Sequence, residues 1–132
     1  MKLYARDLQA AKACPEQVAL FRAHFGDGGT VTLAKVRKVA LLFNWDWAAR
    51  FLLSPASWIE YERVIAPAWA ERERVIASAL AESERVIASA WFAGDRASAL
   101  AERERVTVPA WAQYERVRAS AWFAGWKRDQ TK

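Results

Sequence analysis

The chain has 132 residues, a formal net charge of +5 and 54% hydrophobic residues, eight of them Trp, so it holds material for a core. Its 27% charged residues fit a folded soluble protein and exclude a disordered one. No apolar run approaches the ~18 residues that span a bilayer, the start MKLYARDLQAAK has no signal-peptide stretch ahead of its charges, and the single cysteine, Cys14, makes no internal disulfide, so a cytoplasmic location is expected.

Residues 1–53 read as a small helical module. Residues 4–13 (YARDLQAAKA) are helix-prone, and Pro15 suits the first turn of a second helix, PEQVALFRAHF. GDGGT (26–30) is the clearest break, because glycine tolerates the left-handed conformations of a C-cap and turn. Thr32 is placed to cap a third helix, LAKVRKVALLF, whose Leu33, Val36, Val39, Ala40 and Phe43 keep helical spacing. Asn44 caps a fourth, WDWAARFLL, and Ser54-Pro55 opens the next.

From residue 54 to 126 a repeat takes over. Its units begin at Trp58, Trp69, Leu80, Trp91, Leu100, Trp111 and Trp122, eleven apart except for nine between Trp91 and Leu100. Ala, Glu and Arg dominate and all favour helix. Eleven residues make three turns at about 3.67 per turn, which keeps one apolar stripe in line and favours a gentle right-handed supercoil. The short unit contains Gly94, a helix-ending glycine, and Asp95, an N-cap, so the missing residues mark a turn near 94–95. Residues 55–93 and 95–124 then form the arms of an antiparallel hendecad-repeat hairpin, the second ending at the recurrent WFAG of 122–125. Pro67 and Pro109 fall inside the arms, which bend or break there. The expected fold is all-α: an N-terminal module (1–53), the hairpin (54–126) and a basic tail (127–132).

At ~100° per residue, the unit 69–79 presents Val75, Ala79, Arg72, Ile76 and Trp69 on one side and Glu71, Ser78 and Arg74 opposite. Extended over all units, the packing face comprises Trp58, Val64, Ile65, Trp69, Val75, Ile76, Leu80, Val86, Ile87, Trp91, Leu100, Val106, Trp111, Val117 and Trp122. The position of Ile65, Ile76 and Ile87 holds Thr107 and Arg118 in the second arm, which predicts deeper burial of the first. A narrow strip of small residues, Ala70, Ala77, Ala81 and Ala88, is a candidate interaction seam. The Glu/Arg back reads as a solvated face with weak i,i+3 and i,i+4 pairs.

The segments EYERVIAPAW, ERERVIASAL and QYERVRASAW resemble the tandem EYERVRA-type repeats of uncharacterised bacterial and phage proteins. CPEQVALFRAHFG and FNWDWAARFLL are similar to the leader of such repeats. Arg72, Ser83 and Arg103 stand where Tyr is usual, and isoleucines replace a commonly charged position. The resemblance implies architecture and no catalytic signature.

Sites for chemistry are few. His24, alone near a helix end, reads as a partly buried or capping residue, and Cys14 as a small buried one. One Cys and one His fall short of the three or four ligands of a zinc site. The pairs Glu60/Glu62, Glu71/Glu73, Glu82/Glu84 and Glu102/Glu104 point roughly 200° apart on a helix, which suits solvation better than acid–base work. GDGGT lacks the spacing of a phosphate loop. No enzyme activity, cofactor, metal or small-molecule substrate is expected.

The repeats carry nine Lys/Arg and ten Asp/Glu, against eight and four in residues 1–53. An array tracking a nucleic-acid backbone would itself be basic. The leading expectation is a non-enzymatic scaffold or interaction protein that forms a homo-oligomer or binds a protein partner through the repeat helices. One alternative is DNA binding through a helix-turn-helix-like module with Lys35, Arg37 and Lys38 near the backbone. The second helix would then offer only Asp46 and Arg50 to bases, where Arg, Asn or Gln are wanted. The other alternative is amphipathic binding to a membrane surface, which a charge-balanced polar back does not favour.

Overall fold

Side-chain caps mark the starts of the last four helices. The computed structural model describes residues 2–131, in the order β1 (Lys2–Tyr4), α1 (Ala5–Ala10), α2 (Pro15–Phe25), β2 (Gly28–Thr30), α3 (Leu33–Lys38), α4 (Trp45–Leu52), α5 (Pro55–Phe92) and α6 (Arg96–Gln130). The fold is all-α with one small ribbon, and α5 and α6 pack against each other as a helical hairpin. Thr32 Oγ1 accepts the amide of Lys35 at 3.3 Å, and Asn44 Oδ1 accepts that of Trp47 at 3.1 Å. Both caps lie where the sequence places them. At the hairpin turn Gly94 has φ +73° and the Asp95 carboxylate accepts the Ser98 amide at 3.0 Å, starting α6.

Several elements differ from the sequence expectation. β1 and β2 pair antiparallel, with Leu3 opposite Gly29, so part of GDGGT is a short strand. Lys12, in the left-handed region at φ 62°, holds the first helix to Ala5–Ala10. The third stops at Lys38, and residues 39–43 continue as turns that bring Val39 and Ala40 into the core. Pro67 and Pro109 lie within uninterrupted helices, so neither breaks its arm. The second arm does not end at WFAG: α6 continues to Gln130 and absorbs most of the basic tail.

That last difference has a clear cause. Gly94 is followed by a capping Asp, whereas Gly125 is followed by Trp126, which is buried. A Cβ on Gly125 would lie 3.0 Å from Leu53 Cδ1, so glycine here permits a close approach within a continuing helix.

Contacts gather into two compact units. One combines the residues up to Ile65 with those from Glu115 onward; the other is Ala66–Tyr114. The first unit holds a continuous aromatic chain. Phe21 stacks on Phe25 (centroids 5.0 Å), which meets Phe43 (6.5 Å), then Trp45 (5.8 Å), Trp122 (5.4 Å) and Trp126 (5.9 Å). Each such pair adds about 0.5–1.5 kcal/mol beyond area burial. Trp45 Nε1 donates to the Ala40 carbonyl at 2.7 Å, so its polar edge is satisfied inside the core.

In the second unit the arms meet through smaller groups. Ser83, Ala99, Val106, Ala112 and Tyr114 are buried, and Ser83 Oγ donates to Glu102 Oε1 across the arms at 2.8 Å. Trp69 meets Tyr114 edge-on at 5.4 Å, with the Arg72 guanidinium 4.4 Å from the Trp69 centroid. The first arm is not the more buried one. Ile65, Ile76 and Ile87 are only partly covered, while α6 buries Ala119, Ala121, Trp122 and Trp126 in the first unit's core. Aliphatic content of a face did not decide its burial; the surface facing it did.

Candidate functional site: the open face of the repeat hairpin

The predicted packing face divides into three groups. Val106 and Trp122 are buried. Trp58, Ile65, Ile76, Leu80, Ile87 and Val117 are partly covered. Val64, Trp69, Val75, Val86, Trp91, Leu100 and Trp111 are exposed. On a helical wheel of α5 the groups follow from geometry: Ser83 and Ala79 point toward the other arm, while the Trp and Val positions lie to either side. Beyond the face, Val108 is exposed, and Phe92, at the turn, is 95% exposed. The seam residues Ala70, Ala77, Ala81 and Ala88 are all exposed.

Two open clefts run along this unit. One, of about 400 Å³, is lined by Ala77, Leu80, Ala81, Glu84, Ile87 and Arg103. The other, of about 380 Å³, is lined by Arg72, Glu73, Ile76, Leu80, Arg103, Thr107, Val108 and Trp111. Leu80 and Arg103 belong to both. Arg72 sits at the position eleven residues after Tyr61 and eleven before Ser83, which are both buried. A cation at that position brings charge to an otherwise apolar floor. Among the described residues its ion contact is with the neighbouring Glu73, at 3.3 Å.

Glu71 and Arg74 lie on the exposed back as the sequence suggests, whereas Glu102 faces the other arm. Glu60–Arg63, Glu71–Arg74 and Glu102–Arg105 form i,i+3 pairs at 2.5–2.6 Å. Glu102 also accepts from Ser83, and the hydrogen bonds from Arg105 and Ser83 hold its carboxyl at about 2 against an ordinary 4.5.

The first unit has its own polar cluster. Arg118 pairs with Asp46 and Glu115, and the Tyr61 hydroxyl donates to Asp46 Oδ1 at 2.9 Å. Burial, with Asp46 adding to it, pushes the Tyr61 phenol well above its ordinary range. Asp46, though exposed, is thereby engaged by its own chain, on the helix whose Trp45, Ala48 and Ala49 are core. Lys35 donates to the Thr30 carbonyl at 3.1 Å, and Lys35, Arg37, Lys38 and Arg50 are exposed. The cavity beside Phe21, Trp45 and Trp122 is apolar and about 40 Å³, close to the volume of a single water.

Cys14 is exposed at the N-cap position of α2 rather than buried, because the chain there is extended ahead of Pro15. His24 is likewise exposed, on the last turn of α2. Among the described residues no group of three or more His, Cys, Asp or Glu is arranged to hold a metal, and no helix is long and apolar enough to cross a membrane. The functional-looking residue that sequence reasoning passes over is Asp129, inside KRDQTK. It accepts from Ser54 N (2.7 Å), Ser54 Oγ (2.7 Å) and Ser57 Oγ (2.6 Å) at the start of α5. Only its acidic character among basic neighbours hints at this role. No family model, curated protein or solved structure matches the chain.

Proposed function

We propose that this chain is a non-enzymatic helical scaffold that assembles with itself through the repeat hairpin. One observation carries the reading: within Ala66–Tyr114, eight large apolar side chains are exposed, namely Trp69, Val75, Val86, Trp91, Phe92, Leu100, Val108 and Trp111. Extended apolar surface of this kind is covered by partners in stable proteins, and Trp is enriched where such contacts are strongest. The cleft linings supply apolar floors and charged rims, a composition suited to a protein surface. Light scattering after size exclusion at tens of micromolar tests the proposal. The expected mass is a multiple of the 15.0 kDa chain mass. A monomer overturns it.

A further inference from the structure

Arg72, Ile76, Leu80 and Glu84 are four residues apart on α5 and form one i,i+4 ridge on the helix surface. The ridge runs along both clefts: Arg72, Ile76 and Leu80 line one, and Leu80 and Glu84 line the other. Beside it lies the row of Glu73, Ala77 and Ala81, whose alanines leave a groove for an incoming ridge. The order along the ridge is cation, aliphatic, aliphatic, anion. Reversing the helix exchanges Arg72 with Glu84 and Ile76 with Leu80, so the ridge is complementary to itself run antiparallel.

The anion on it is exposed, while Arg72 is paired with Glu73 and lies over Trp69. The Glu84 side chain makes no hydrogen bond or ion pair among the described residues, and neither does that of Arg103, which lines both clefts. The cleft holding Arg72 and Arg103 contains one carboxylate, Glu73, and so keeps a surplus cation. An acidic side chain entering there gains two guanidinium neighbours beside an apolar floor.

We infer that a second copy of this chain docks on the ridge with its α5 antiparallel, placing Glu84 of each copy in the Arg72–Arg103 cleft of the other and packing Ile76 against the other copy's Leu80. The arrangement is isologous, with one patch used twice about a two-fold axis. It rests on the proposed self-association and specifies its face and direction.

Charge reversal tests it. In Glu84→Arg each charged contact across the axis becomes cation on cation, and in Arg72→Glu the incoming Glu84 meets a carboxylate in place of one of its two guanidinium neighbours. Each variant alone should dissociate at a concentration at least about tenfold higher than the wild-type protein. Mixed in equal amounts they restore both opposite-charge contacts, and a heterodimer should form, read by light scattering with one variant carrying a mass tag. Because Arg72 also stacks on Trp69, circular dichroism first checks that Arg72→Glu is folded. If it is not, Glu84→Arg carries the test alone, since the Glu84 side chain pairs with no charged group among the described residues. A wild-type monomer overturns self-association and this inference with it. A wild-type oligomer whose stability Glu84→Arg leaves unchanged overturns the ridge alone.

Discussion

The Asp129 carboxylate takes the backbone amide of Ser54 at 2.7 Å and both serine hydroxyls of the SPAS turn, so the last turns of α6 cap the first turn of α5. An anion at a helix N-terminus also faces the positive end of the peptide dipoles. Asp129→Ala should therefore lower stability by about 1–2 kcal/mol, the range of a lost N-cap. Urea unfolding followed by circular dichroism checks this, and Asp129→Asn should recover part of the loss by keeping an acceptor.

The glycines of the two WFAG segments should resist substitution for different reasons. At Gly94, φ +73° with nothing within 4 Å of an added Cβ, alanine meets backbone strain and no clash. The expected cost is about 1–2 kcal/mol, from the left-handed region alone. At Gly125 the backbone is helical and the limit is Leu53, 3.0 Å from an added Cβ. Gly125→Leu should cost about 1–3 kcal/mol by overpacking, and Leu53→Ala in the same chain should relieve part of it. Thermal melts of the single and double variants separate strain from crowding.

Tyr61, 2% exposed, should ionise above the ordinary tyrosine range on alkaline titration monitored by ultraviolet absorbance. Its folded pKa is raised above the unfolded value of 10.0. Its contribution to stability is thus complete below pH 10 and is lost as pH rises beyond it. Tyr61→Phe should flatten that alkaline loss and cost about 1 kcal/mol at neutral pH for the hydrogen bond to Asp46.

Glu102 sets the opposite dependence. Its carboxyl is held at about 2, by Arg105 first and then Ser83, against an unfolded value of 4.5. The stabilising contribution is present above pH 4.5 and disappears as pH falls toward 2. Glu102→Gln should make the melting temperature less sensitive to pH across that window. Ser83→Ala should produce a smaller change in the same direction.

What was legible in the sequence was local. Thr32, Asn44 and Asp95 cap within three residues of themselves, so their side chains name the helix starts without knowledge of the rest of the chain. The two-residue shortening after Trp91 likewise marks a turn that Gly94 and Asp95 build from their own backbone and side chain. What was not legible depends on partners far along the chain. Trp126 and Gly125 keep α6 going because Leu53 and the Trp45–Trp122 pair lie against that turn. The β1–β2 ribbon is three residues a strand, and Gly28-Gly29 shows no alternation to read. A helical wheel put Trp69 and Val75 on the packing face, and both side chains are exposed. It could not say how little of the opposing arm would cover them: Trp69 meets Tyr114 edge-on and stays exposed.

The exposure pattern divides the eight tryptophans by unit. Trp45, Trp47, Trp58, Trp122 and Trp126 lie in the first unit and none is exposed; Trp69, Trp91 and Trp111 lie in Ala66–Tyr114 and all three are. Intrinsic emission therefore carries two populations of indole, a blue-shifted set shielded from a soluble collisional quencher and a red-shifted set open to it. Without any label, the quenchable fraction follows the state of the hairpin surface and the shielded fraction follows the integrity of the aromatic core.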